Sequence, residues 1–231
     1  VLDELRGIKL QSLQAGLVGN IQRIDDPNII RVQLNTGESW GRDKVHIAHL
    51  PDSRQVEVLP LFTQMQETEI IGTGLWNKEL SSPIEDSSPG QVHYVEGARN
   101  AEELICDLCG QAQPAELIGF VVENSEIATI CFEVSSDSDL EEGWLVFVRQ
   151  EEHPVYYQIL NAKTKEESFS QNPRGTAIVF AEQLGFYDVD RGFVKYGWLP
   201  RMNSPVFLPI PSKIEISYPD EDLFLGYVPN S

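Results

Sequence analysis

The run Cys106-Asp107-Leu108-Cys109 has the spacing of half a zinc knuckle or of a dithiol redox pair. A structural zinc site needs four ligands, and no second Cys-x-x-Cys and no His-x-x-x-His follows; only Cys131 and His93 remain to complete one, and only if the fold brings them close. Two thiols three apart on a helix share a face, so core packing is the expected role, with metal and redox chemistry as alternatives. His46 and His49, in Val45-His46-Ile47-Ala48-His49-Leu50, are also three apart, but this run reads as extended chain, where such positions face opposite ways. They lack the intervening glutamate of a zinc-hydrolase helix, and packing or surface roles are expected. His153, beside Pro154, reads as a turn residue. No serine stands in a G-x-S-x-G elbow, and no carboxylate pair has surroundings that would make one an acid and the other a base. No catalytic, metal or cofactor residue is therefore assigned.

Acidity is the stronger signal. Lysine and arginine total 17 against 36 aspartates and glutamates, a formal charge of −19, with acids in excess on both sides of Glu116. Nucleic-acid affinity comes mainly from basic side chains displacing counterions from phosphates, so little direct DNA binding is expected, and a protein partner fits better. Asp137, Asp139, Glu141, Glu142, Glu151 and Glu152 bracket the segment Trp144–Gln150, with Arg149 the one base among them. Solvated hairpin loops are the plain reading. The sharper one is a docking surface for a basic partner, with Glu141, Glu142, Glu151 and Glu152 as its contacts. Trp76, Trp144 and Trp198, with Tyr156, Tyr157, Phe186 and Tyr196, are either core or a binding groove.

The elements that must position these residues are mostly strands. Ile118–Glu123, Ile127–Val134, Trp144–Gln150, Val155–Thr164, Ala177–Gln183 and Val206–Ile210 are rich in Val, Ile, Phe and Tyr, and Gly, Pro, Ser or Asp separates most of them, which predicts a small closed barrel. Tyr187–Gly192 reads as a hairpin tip with Gly192 free for positive φ, and Lys163–Ser170 as a polar crossover. Upstream, Leu17–Leu50 reads as a meander of short strands broken at Asp25–Asn28 and at Asn35–Glu38. Val56–Phe62 and Glu69–Leu75 continue it, and Thr73–Trp76 is expected to close this first, SH3-like sheet. Leu2–Leu17 fits neither period; Ser81–Gly90 is a loop by composition. Asn100–Cys109 predicts one short helix, with Asn100 as cap, Glu102 and Glu103 in the first turn and Gly110 as stop. Prolines from 200 onward forbid a long helix and leave Ile214–Tyr218 extended and Phe224–Ser231 as a linker.

Four fragments, Asn172-Pro173-Arg174-Gly175, Gln183-Leu184-Gly185, Gly197-Trp198-Leu199-Pro200 and Ser204-Pro205-Val206-Phe207, stand in this order behind Leu117-Ile118-Gly119-Phe120-Val121-Val122 and Tyr156-Tyr157-Gln158-Ile159. Together, over roughly residues 117–231, they resemble the HAS-barrel that precedes the ATPase domain of HerA-like DNA translocases. The resemblance implies a barrel that forms the collar of a hexameric ring and docks an effector, often a nuclease, in DNA end-resection or phage defence. It also makes Arg174 either a turn residue or a contact to a neighbouring subunit, a partner or threaded DNA. No G-x-x-x-x-G-K-[ST] phosphate loop occurs in the chain, and the resemblance implies that ATP and magnesium belong to a motor domain outside it.

The resulting expectation is an all-β protein with a minor helix: residues 1–113 a β-rich SH3-like unit, 114–218 a HAS-like barrel and 219–231 a linker toward the motor. No apolar run approaches the roughly 18 residues that span a bilayer, nothing resembles a secretory signal, and three cysteines argue against a disulfide framework. A cytoplasmic, non-catalytic assembly and partner-docking region is the leading reading. The alternatives are a free-standing β-rich module that binds a peptide or small ligand, and an enzyme of unrecognised type using Cys106 and Cys109.

Overall fold

The computed structural model describes residues 16–66, 68–79, 87–95, 100–110, 115–151, 153–164 and 175–210, with backbone alone at 77 and 78. Arg174, Glu152, the expected unit junction at Gln111–Pro114, most of the 163–170 crossover, Leu2–Gln14 and everything after Ile210 lie outside the described residues.

The first half forms a closed barrel. Its strands are β1 (Leu17–Asp25), β2 (Ile29–Leu34), β3 (His46–His49), β4 (Gln55–Gln66), β5 (Glu69–Glu79) and β6 (Gln91–Tyr94), in the order β1-β2-β5-β4-β3-β6. Both expected breaks hold: Asp26–Asn28 is the turn between β1 and β2, and Gly37 sits at φ 86 after β2. The closure differs from expectation. Thr73–Trp76 lies inside β5, paired on both sides, and the strand that completes the barrel is β6, hydrogen-bonded to β3 and β1. Four residues, Gln91-Val92-His93-Tyr94, are too few to show a period, and both partners of β6 are distant in sequence. Val18, Ile30, Val32, Val56, Val58 and Val92 fill the interior.

Helix α1 (Ala101–Cys109) follows as predicted. Asn100 is extended at ψ 139, and its Oδ1 accepts from the Glu102 N–H at 3.1 Å. Gly110, at φ 64, ends the helix by donating its N–H to Cys106 O at 2.9 Å. The helix turns Leu104, fully buried, toward the core. Asn100→Ala is expected to lower stability by about 1 kcal/mol, read from urea denaturation, because one end N–H loses its acceptor.

The second half forms another closed barrel from six strands near the expected positions. These are β7 (Ala115–Val121), β8 (Thr129–Ser135), β9 (Leu145–Gln150), β10 (His153–Thr164), β11 (Thr176–Asp188) and, after the short β12 (Gly192–Val194), β13 (Pro205–Pro209). The order is β10-β9-β13-β7-β8-β11, and β11 closes on β10. β12 pairs with the end of β11 as the expected hairpin, with Gly192 at φ 72. His153 opens β10 rather than occupying a turn, because Pro154 sits in register opposite Arg149 and carries the strand through.

Alternation explains the core. On β8, Ile130, Phe132 and Val134 point into the barrel, while on β9 Val146 and Val148 do so. The intervening residues Cys131, Glu133, Ser135 and Phe147 are buried as well. Strands covered on both faces read as continuous apolar runs, as Leu145-Val146-Phe147-Val148 does. What covers the outer face is the first barrel and α1: Phe62 of β4 stacks on Phe120 of β7 at 6.1 Å between ring centroids, in the same cluster as the second barrel's own Phe147–Phe207 stack at 5.2 Å. Leu59, Leu61, Leu104 and Leu117 join them in one apolar cluster spanning both barrels.

Candidate docking site

The predicted contact residues separate. Glu141 and Glu142 are exposed in the β8–β9 loop, and Glu151 is exposed at the β9–β10 turn, where its φ of 52 marks a tight reversal. The six-residue strand β9 lies between them, about 20 Å long at strand rise, so they do not form one continuous patch. Glu151 instead neighbours Tyr196, whose phenol is pushed above its ordinary value by desolvation first and by that carboxylate second.

The acidic loop has a second side that faces the first barrel. Between the barrels lies a cleft of about 520 Å³. Trp40, Arg42 and Phe62 form its wall on the first barrel; Asp137, Ser138, Asp139 and Leu140 of the loop face them, with Trp144 at the start of β9. Trp40 is fixed in place: its indole N–H donates to Thr73 O at 2.9 Å, and its ring lies over Gly72, where an added Cβ would come within 2.9 Å. Arg42 donates from Nε to Leu61 O at 2.7 Å and reaches Glu116 at 3.6 Å. Ser135 hydrogen-bonds Asp137, which holds the loop against the end of β8.

A second cleft of about 630 Å³ opens where β1 and β2 meet β8 and β11, and its two arginines converge on Asp25. Arg31 donates to Thr73 Oγ1 at 2.8 Å and to Asp25 at 3.4 Å, and Arg23 lies 2.7 Å from Asp25. The buried Glu133 accepts from Thr176 Oγ1 at 2.7 Å, and Gln64 of the first barrel donates to that same hydroxyl at 3.3 Å. Asn203 spans the barrels as well, donating to Asp25 O at 3.3 Å and to Asp26 O.

The thiols and imidazoles are dispersed. Cys109 is buried beside Leu104, its Sγ donating to Cys106 O at 3.5 Å, whereas Cys131 sits on β8 with its thiol pushed up by burial. No group of three potential metal ligands occurs among the described residues. His46 is buried against Trp40 and Tyr94, while His49 meets Ser87 O at 3.0 Å and Ser87 Oγ at 2.9 Å. The aromatics do not make one groove either. Tyr157 is inside the second barrel, its phenol pushed up to about 12 by burial. Phe186 and Tyr196 pack with His153, Tyr156 packs with Phe147 and Phe193, and Trp198 is 73% exposed.

Two of the punctuated fragments have structural roles in the second barrel, whose closure is the β11–β10 pairing. Gln183 donates from Nε2 to Ile127 O at 2.7 Å and to Tyr196 O at 3.0 Å, and its Oε1 accepts from the Tyr196 N–H at 2.8 Å. One amide thus ties three segments. Gly185 has φ 117, and an added Cβ would lie 2.1 Å from Val194 O, so only glycine lets β12 approach. Val206 points inward and Phe207 outward on β13, the strand that joins β7 to β9. Of the cleft residues, Trp40, Arg42 and Phe62 carry no local sequence signal of their role, because their partners lie some hundred positions away. Asp137 and Asp139 stood within the acidic stretch.

Fold and site together define a nearly all-β protein of two closed six-stranded barrels, bridged among the described residues by one helix and a shared apolar core, with an acidic cleft along the seam. No helix among the described residues is long and apolar enough to cross a membrane. No protein-family model, curated protein or solved structure matches the chain.

Proposed function

We propose that this chain is a non-catalytic assembly and partner-docking region of the kind that precedes the motor of HerA-like ATPases. The observation that supports the reading is the closed six-stranded barrel of the second half, in which two of the fragments behind the resemblance have structural roles: Gln183 and Gly185 fasten the segments around β12, and Val206-Phe207 lies in β13. A barrel presents a rigid rim, and repetition of that rim around a ring sums many weak contacts. The charge of −19 favours a protein partner over DNA. On this reading the motor-bearing protein is a cytoplasmic hexamer, the collar recruits a nuclease or other effector, and Glu141, Glu142, Glu151, Glu152 and Arg174 are contact candidates.

The reading frame beyond Ser231 is expected to encode a G-x-x-x-x-G-K-[ST] loop. The protein carrying it is expected to sediment as a hexamer and hydrolyse ATP, with residues 1–231 alone showing no turnover. A stop codon directly after Ser231, or ATP hydrolysis by this chain alone, refutes the proposal. A free-standing peptide- or ligand-binding module is the second reading; the cleft of about 520 Å³ favours it, and a frame ending at Ser231 would select it.

A further inference from the structure

The cleft between β1–β2 and β8–β11 holds two polar groups that the fold leaves unused. Arg31 donates from Nε to Asp25 and from Nη1 to Thr73 Oγ1; its other amino group, Nη2, has no partner among the described residues and is not shut off from water. Asn203, 5% exposed, donates from Nδ2 to two backbone carbonyls, Asp25 O and Asp26 O. Two acceptors on that side fix which end of the amide is nitrogen, so Oδ1 is the atom left without a partner among the described residues. One donor and one acceptor, both braced on Asp25, thus belong to the cleft wall.

The floor is apolar and open. On the outer face of the second barrel Ile178 stands opposite Glu133 and Phe180 opposite Cys131. Ile178, Phe180 and Val122 are only partly buried, as is Ile24 of β1, and Met202 at the edge is 56% exposed. Covering apolar surface of this kind is favourable, and about 630 Å³ is the size of a small-molecule site. Charge around the cleft is close to even: Arg23, Arg31 and Lys163 stand against Asp25, Asp26, Glu123 and Glu133. An anion meets those carboxylates and two arginines that Asp25 already engages. An organic cation finds the Phe180 ring taken, with Lys163 Nζ 5.3 Å from its centre. A divalent cation finds no group of three ligands among the described residues.

We infer that this cleft binds a small, neutral, flat molecule carrying a carbonyl and an N–H, as an aromatic amide or lactam does. The ring body lies on Ile24, Val122, Ile178 and Met202, the carbonyl accepts from Arg31 Nη2, and the N–H donates to Asn203 Oδ1. Because the walls come from both barrels, the bound molecule lies across the seam. The inference goes beyond the docking role proposed above and stands without it.

The probe is 2-quinolinone, a flat lactam, titrated to about 2 mM into the 231-residue chain with its methionine methyls labelled with carbon-13. Of the two methionines, Met202 lines the cleft and Met65, near the end of β4, does not, so one spectrum carries both reporter and control. The Met202 signal is expected to move saturably and the Met65 signal to stay in place. N-methyl-2-quinolinone, which lacks the N–H, and Arg31→Met, which removes the donor, are each expected to weaken binding at least about fivefold. The flat anion 2-naphthoate is expected to bind at least about fivefold more weakly than the lactam. Ile178→Trp fills the cleft from a half-exposed position and is expected to abolish binding, whereas Val189→Trp, on the exposed β11–β12 tip, leaves it intact. An unmoved Met202 signal, equal movement of both methyls, or unchanged binding to the Ile178→Trp chain would overturn the site. Losses below about fivefold with the N-methyl lactam or with Arg31→Met, or equal binding of the naphthoate, would overturn the ligand class.

Discussion

Phe207→Ala is expected to lower the stability of the folded chain by about 3–5 kcal/mol, the largest effect of any single substitution considered for this protein. Phe207 is fully buried, and it stacks on Phe147 in the cluster that includes Leu104 of α1 and Leu61 of the first barrel. Its loss removes the transfer energy of a phenyl ring and leaves a cavity in a place with little freedom to collapse. β13 is hydrogen-bonded on both sides, to β7 and to β9, so the backbone cannot move inward to fill the space. The neighbouring Val206 faces the interior of the barrel, and Val206→Ala removes a smaller group from a different cluster. Urea denaturation followed by tryptophan fluorescence measures both. Because Phe207 belongs to the core shared by the two barrels, one cooperative transition is expected to move as a whole to lower urea. A change confined to a second, separate transition, or a loss under about 1 kcal/mol, would show that this ring does not hold the seam.

Acid is expected to weaken the first barrel through His46. The side chain is 1% exposed, its ring lies 4.6 Å from that of Trp40, and neither ring nitrogen has a hydrogen-bond partner among the described residues. Burial first, and the charge of Lys44 second, lower its pKa from 6.5 to about 4; Asp43 and the nearby backbone of Lys44 and Ser39 pull the other way without offsetting this. Above pH 6.5 the imidazole is neutral in both folded and unfolded chains and contributes no pH dependence. As pH falls from 6.5 toward 4, the unfolded chain takes up a proton that the folded one refuses, so stability drops by about 1.4 kcal/mol per pH unit, and by about 3 kcal/mol in all. Carboxylates titrate at the lower end of this window, so the comparison is with His46→Phe, which keeps an aromatic ring against Trp40 and Tyr94. The stability of the variant relative to the parent is expected to rise by about 2 kcal/mol between pH 7 and pH 5. Parallel pH profiles for the two proteins would remove His46 from the account.

Most strands of the second barrel were legible because they are rich in Val, Ile, Phe and Tyr and are set off by Gly, Pro, Ser or Asp. Val155, Tyr157 and Ile159 point inward from β10 while Gln158 and Leu160 face solvent, and the predicted Val155–Thr164 falls within two residues of the strand. Helix α1 was legible for a different reason: Asn100, the two following glutamates and Gly110 satisfy the helix ends locally. β6 was not, since four residues carry no period and its partners β1 and β3 come from far along the chain. The site was legible only in part. The acidity of residues 137–142 marked the loop, but of its four exposed acids only Asp137 and Asp139 border the cleft.

The sequence by itself determined the strand content, the helix and its ends, the acidity and the hairpin tips. Each of these is set by neighbours within a few positions, through backbone geometry, capping and side-chain alternation. Only the tertiary structure decided that β6 completes the first barrel, that Phe62 meets Phe120, and that Trp40 stands across a cleft from Asp137 and Trp144. Those juxtapositions arise from burying the outer face of one closed sheet against another, and the apolar surface that drives it is non-directional. It tells a residue to be covered without saying by what.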